Sequence, residues 1–85
     1  MWFNKLKEQY DKEYNKFCEY NQEMYELDAY IVFLDGKVIN TDLYNFVITE
    51  DKIFINGEEI SPKTIDHITY IIEEIPQLDV KDIEN

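Results

Sequence analysis

Ala29-Tyr30-Ile31-Val32-Phe33-Leu34-Asp35-Gly36-Lys37-Val38-Ile39 is the stretch on which the fold turns. A short apolar run meets Asp-Gly, the two-residue signal of a type I′ hairpin, and an apolar segment comes immediately after. Two antiparallel strands are therefore expected here. Tyr30, Val32 and Leu34 alternate with Ala29, Ile31 and Phe33, so both faces of the first strand are apolar.

Downstream, Leu43 to Thr49 reads as a third strand, with Tyr44, Phe46 and Ile48 on one face and Leu43 and Val47 on the other. Glu50-Asp51-Lys52 turns the chain into Ile53-Phe54-Ile55, and Asn56-Gly57 makes a second tight turn before Glu58-Glu59-Ile60. Residues 29–60 thus read as an antiparallel meander of about four short strands. Ser61 suits a helix N-cap and Pro62 the first helical position. Ile65, Ile68, Ile71, Ile72 and Ile75 would form the buried stripe of a helix over 62–75, stopped by Pro76. The acidic tail, 77–85, is either a last turn docked by Leu78, Val80 and Ile83 or a frayed end.

Upstream, Phe3, Leu6, Tyr10, Tyr14, Phe17, Met24 and Leu27 recur at helical steps, predicting one long amphipathic helix over residues 1–27. Two polar residues, Glu13 and Asn21, fall inside its apolar arc. The expected class is α+β, in the order α-β-β-β-β-α, as a single domain spanning 1–85, since 85 residues cannot support two cores.

The charge is unbalanced in kind as well as in sum: 8 Lys, no Arg and 19 acids, a net of −11. Residues 1–27 hold 4 Lys and 6 acids, a net of −2, and residues 28–85 hold 4 Lys and 13 acids, a net of −9. Direct binding to nucleic acid is excluded, because every phosphate contact needs a cation and Arg is the usual reader of phosphate and guanine. An anionic membrane repels the chain as well, and nowhere do about 18 apolar residues follow one another. A single cysteine, Cys18, forms no internal disulfide and suits a reducing cytoplasm. The 12 Ile, 7 Asn and 7 Tyr beside absent Arg point to an AT-rich genome, bacterial or viral.

Catalytic chemistry finds no residues to use. The only glycines, Gly36 and Gly57, are spent on turns, and the only serine, Ser61, on a cap. His67 stands beside Asp66 on the expected helix, where the two side chains diverge by about 100°. One His and one Cys far apart in sequence do not make a zinc site, and Asp79, Asp82 and Glu84 lack the spacing of an EF-hand loop. Cys18 reads as packing at the margin of the helix stripe. The chain is thus expected to be no enzyme and to hold no cofactor or metal.

A strongly acidic body attracts a basic surface, and the best-known basic surfaces inside cells hold nucleic acid. In size and charge density, though in no motif, the chain is similar to phage-encoded DNA-mimic inhibitors such as uracil-glycosylase inhibitors, anti-restriction proteins and some anti-CRISPR proteins. That similarity implies a phage- or bacterium-encoded inhibitor, acting in the cytoplasm of a bacterial host. It would block the basic groove of a DNA- or RNA-handling protein with carboxylates at Asp42, Glu50, Asp51, Glu58, Glu59, Asp66, Glu73 and Glu74. The alternative is a small homo-oligomeric structural or accessory subunit, a homodimer for instance, joined through an apolar sheet face or a tyrosine-rich helix. Tyr10, Tyr14, Tyr20, Tyr25, Ile31 and Phe33 are the self-association residues on that alternative. Either two helices sandwich the sheet, or both lie on one side and the free face receives a second copy or a partner. A large wet apolar sheet is excluded.

Overall fold

Strand-forming periodicity extends further in both directions than the meander alone requires. The computed structural model describes residues 2–76, with α1 (Trp2–Phe17), β1 (Tyr25–Phe33), β2 (Val38–Asp42), β3 (Phe46–Ile48), β4 (Ile53–Ile55), β5 (Glu58–Ile60), one 3₁₀ turn (Pro62–Thr64) and β6 (Ile65–Glu74). The class is α+β as expected, but one helix packs with two three-stranded antiparallel sheets, ordered β2-β1-β6 and β3-β4-β5. The acidic tail, 77–85, lies outside the described residues.

The long helix is corrected to 16 residues. Its stripe runs through Phe3, Leu6, Tyr10 and Phe17, and the next turn would place Asn21 at the centre of the buried face. Asn21 instead accepts a hydrogen bond at Oδ1 from the Glu23 amide at 3.0 Å, the local bond with which Asn competes against helix. From Tyr25 the period changes to two, and Leu27, Ala29 and Ile31 are buried in alternation. Pairing of Tyr25-Glu26-Leu27 with Ile72-Glu73-Glu74 on β6 outweighs their local helical preference.

The C-terminal helix is absent. Ser61 does cap, accepting from the Lys63 amide, with Pro62 in the first position, yet the helix lasts one 3₁₀ turn and Ile65 is already extended. The strand beyond it is rich in Ile, Thr and Tyr, the side chains that fit a pleated surface. The spacing of Ile65 and Ile68 misleads because β6 carries a β-bulge. Val32 pairs with His67 and Phe33 with Ile65, so Asp66 is an extra residue on one strand. This shifts the phase, putting Ile65 and Ile68 on the same buried side three positions apart, after which Tyr70 and Ile72 continue at period two.

The two glycine turns differ. At Asp35-Gly36 the Gly36 amide bonds to the Phe33 carbonyl at 2.9 Å and the Phe33 amide to the Lys37 carbonyl at 2.8 Å. Only Gly36 has positive φ, at +94°, so this is a three-residue loop with glycine in a left-handed bulge, not the expected type I′ turn. Asn56 (φ +54°) and Gly57 (φ +83°) are both left-handed between the paired residues Ile55 and Glu58, which is the type I′ geometry. The expected strand over 43–49 is broken at its start. Asp42 Oδ1 accepts from the Tyr44 and Asn45 amides and from Asn45 Nδ2 at 3.0–3.1 Å, and β3 begins only at Phe46.

The core lies between α1, one face of β2-β1-β6 and the apolar face of β3-β4-β5. Leu6, Tyr10, Ala29, Ile31, Phe46, Ile48, Ile53, Ile55, Ile65 and Ile68 form one buried cluster. Tyr10 meets Phe46 edge-on at 5.6 Å between ring centroids, a favoured aromatic geometry. Helix α1 also covers part of an exposed sheet edge. Trp2 Nε1 donates to the Ile65 carbonyl at 3.1 Å and Gln9 Nε2 to the Ile68 carbonyl at 3.0 Å, occupying acceptors that another strand would use. No helix among the described residues is long and apolar enough to cross a membrane.

Neither expected arrangement of two helices around the sheet is realised. One face of β2-β1-β6 is covered by α1 and the second sheet, and the other is left open. Tyr30 and Val32 on that open face are half-buried, while Val38 is exposed beside the polar Asn40, His67 and Thr69. That open face mixes carboxylates and other polar side chains with a few apolar ones, so it is not a large wet apolar sheet.

Candidate functional site

Strand alternation decides which side chains reach the open face. With Leu27, Ala29 and Ile31 inside, Glu26 and Asp28 point outward from β1. Register then sets carboxylates opposite carboxylates: Asp28 pairs with Asp42 on β2, and Glu26 with Glu73 on β6. Carboxylate oxygens of Glu26, Asp28 and Glu73 all lie within 4.8 Å of one another. Burial pushes the Asp28 carboxyl above its ordinary range, and the charges of Glu26, Glu73 and Asp42 push it the same way. Like charges facing across a ladder destabilise it. Among the described residues the ion pairs are Lys7 with Asp11 and His67 with Asp66, and neither reaches this cluster.

Beside the cluster lies a cavity of about 380 Å³. It forms where the end of α1 passes the start of β1 and the turn after β2. Tyr10, Tyr14, Tyr25 and Tyr44 supply aromatic surface, Phe17, Leu27, Leu43 and Ile75 aliphatic and aromatic walls, and Gln22, Glu26 and Asp42 polar groups. Glu26 thus belongs to both features, and Asp42, which faces Asp28 across the ladder, lines the cavity. Tyr44 is 92% exposed at the rim, an unusual position for a large aromatic ring. Tyr10 and Tyr14 stand 6.2 Å apart at 39°, and Tyr25 packs edge-on against Tyr20 at 5.2 Å.

Of the acids expected to form one line, Glu73 belongs to the cluster, with Glu74 next to it in sequence, while Asp42 stands on the other side of β1, opposite Asp28. Asp42 also has structural work, since Oδ1 caps the 42–45 turn. Glu50 and Asp51 form the β3–β4 turn, and Glu58 and Glu59 lie on β5; all four are exposed. Asp66 is the bulge residue, near the opposite end of β6 from Glu73 and Glu74. The bulge brings Asp66 Oδ2 to 2.7 Å from His67 Nδ1, which corrects the expected divergence of the two side chains; both are exposed, and such a pair contributes little.

The self-association residues divide. Ile31 is 0% exposed and Tyr10 is buried against Phe46, so both belong to the chain's own core. Phe33 packs against that core too. Tyr14 and Tyr20 are exposed and Tyr25 is half-buried, Tyr14 and Tyr25 lining the cavity. Cys18 is exposed just past the end of α1, correcting its reading as a packed residue.

Glu26 and Asp28 were missed by sequence reasoning. The alternation Tyr25, Leu27, Ala29, Ile31 carries the signal, but it is short and hidden inside a helical stripe that fits equally well. In donor chemistry, three carboxylates suit a hard, oxygen-loving cation and not zinc. No family model matches this chain, and no curated protein or solved structure matches it either.

Proposed function

We propose that the chain is a protein-binding module that docks a cationic surface against the carboxylate-bearing end of β2-β1-β6. The observation carrying this reading is the opposition of Asp28 to Asp42 and of Glu26 to Glu73, with none of them in an ion pair among the described residues. The finished sheet gains no stability from such an arrangement, and rules of local consistency are broken at functional sites. A partner's ammonium or guanidinium groups relieve the repulsion on binding. Protein grooves that bind nucleic acid are a dense source of such groups, so the specific form of the proposal is an inhibitor that stands in for DNA or RNA, of anti-restriction or anti-CRISPR type, made by a phage or bacterium.

The test is capture on the immobilised full chain from a nuclease-treated bacterial lysate at low salt, followed by a challenge with duplex DNA. Nucleic-acid-binding proteins released by DNA, and released steeply as salt rises, are the expected outcome. Retention through half-molar salt, or recovery of the chain alone, overturns the reading. The second result would favour self-association, for which the open sheet face speaks: Val38 is 54% exposed, and Leu34 at the hairpin tip is 66% exposed.

A further inference from the structure

We infer that the cavity beside the carboxylate cluster is an arginine pocket, taking one guanidinium side chain from the basic surface that the proposed function assigns to the cluster. The inference rests on that reading for the partner's charge and on the cavity for the side chain. Charge complementarity identifies the occupant. The walls combine tyrosine rings, whose faces attract cations, with the acids Glu26 and Asp42.

Acceptor capacity is available on those acids. Asp42 Oδ1 takes three turn bonds at 3.0–3.1 Å, while Oδ2 has none among the described residues. Glu26 faces Glu73 and has no ion pair among the described residues. A planar fork that stacks on a ring while donating to carboxylates is arginine's geometry; an ammonium meets only the charge. At about 380 Å³ the space is at the small end of ligand sites, in keeping with a single side chain.

The nine residues after Pro76 offer a rival occupant, since Ile75 lines the cavity. Their charge argues against them: Asp79, Asp82 and Glu84 outnumber Lys81. A second copy of this chain brings the same excess of acid.

The experiment is amide and aromatic NMR of the full chain titrated with a blocked Gly-Arg-Gly peptide. Gly-Lys-Gly, Gly-norleucine-Gly and Gly-Glu-Gly peptides serve as comparisons. Saturable shifts confined to Tyr14, Tyr25, Tyr44 and Glu26 are expected, strongest for arginine and absent for glutamate. Tyr44→Ala, which removes a ring that is 92% exposed and so leaves the core intact, should weaken arginine binding by about threefold to tenfold. Tyr44→Phe should restore it.

Shifts limited to Asp28 and Glu73, with the tyrosines silent, sink the pocket but leave the acidic docking surface standing. No response to any cationic peptide removes both. Equal binding of norleucine and arginine also overturns the inference, by making the cavity merely apolar. Contacts from Leu78 or Val80 to the Tyr14 or Tyr25 rings in the free chain reassign it to the chain's own tail. Shifts that appear on raising protein concentration without peptide reassign it to a second copy.

Discussion

Replacing Asp28 by Asn should make this protein more stable, an uncommon outcome for a half-buried strand residue. Asp28 faces Asp42 directly across the ladder, an opposition worth about 0.2–1 kcal/mol between like charges. Glu26 and Glu73 oxygens lie within 4.8 Å of an Asp28 oxygen, where two charges in water repel by about 0.9 kcal/mol. Screening at 0.1 M salt removes roughly 40% of that. Rotation of the exposed Glu73 lets the charges spread further, so the total relief is set at about 1 kcal/mol. For a domain of this size the melting temperature then rises by about 4–8 °C.

Thermal unfolding followed by circular dichroism is the assay, at neutral pH and at about pH 3. The sign comes from linkage. The folded Asp28 pKa is raised above its unfolded value, so the native state binds more protons in the window between them and stability falls as pH rises through it. At neutral pH the penalty is complete and Asn removes it. Below the unfolded pKa the carboxyl is neutral in both states, and the advantage disappears. An unchanged melting temperature at neutral pH and low salt, or an equal gain at pH 3, would refute the electrostatic argument and leave packing as the cause.

Three further outcomes are expected. Gly36→Ala places a Cβ at φ +94° and should cost about 1–2 kcal/mol in urea unfolding; there is open space around that Cβ, so an unchanged midpoint would mean the turn had rearranged. Tyr70→Phe removes a buried hydroxyl that has no hydrogen-bond partner among the described residues and should stabilise by about 1 kcal/mol. Burial, helped by Tyr10 and Glu13, pushes the Tyr70 hydroxyl well above the ordinary phenol range. Wild-type stability should therefore fall in alkali as unfolded tyrosine ionises, and fall less in Tyr70→Phe; equal alkaline losses would show that Tyr70 is hydrated. Ile53→Ala, at 0% exposure between the sheets, should cost about 2–5 kcal/mol, and a loss under 1 kcal/mol would place Ile53 outside the core.

The turns were the most legible part of the fold, because Asp35-Gly36 and Asn56-Gly57 demand left-handed backbone that few other pairs provide. Even there the loop length at Gly36 depended on pairing outside the turn, between Phe33 and Lys37. Both errors in helix placement have one origin. Leu27 belongs to a helical stripe and to a period-two strand at once, and Ile65 with Ile68 mimics a helix because Asp66 bulges. In each case the arbiter is pairing between residues roughly forty positions apart, which no local window contains. The same pairing explains the site. Asp42 and Glu73 were visible as acids, but their meeting with Glu26 and Asp28 is a product of register, and Tyr44 reaches the cavity rim only because Asp42 caps a turn.

The far reach of β6 has a consequence during biosynthesis. β1 emerges with β2 close behind, but its other edge, Tyr25 to Phe33, waits for Ile65 to Glu74. At about 5–20 residues per second that wait lasts seconds. Throughout it, Ile31-Val32-Phe33 presents an open backbone edge to neighbouring nascent chains on the same message. Two copies of that strand paired parallel and in register would set Glu26 against Glu26 and Asp28 against Asp28. The repulsion that burdens the finished sheet thereby discourages the wrong sheet from starting.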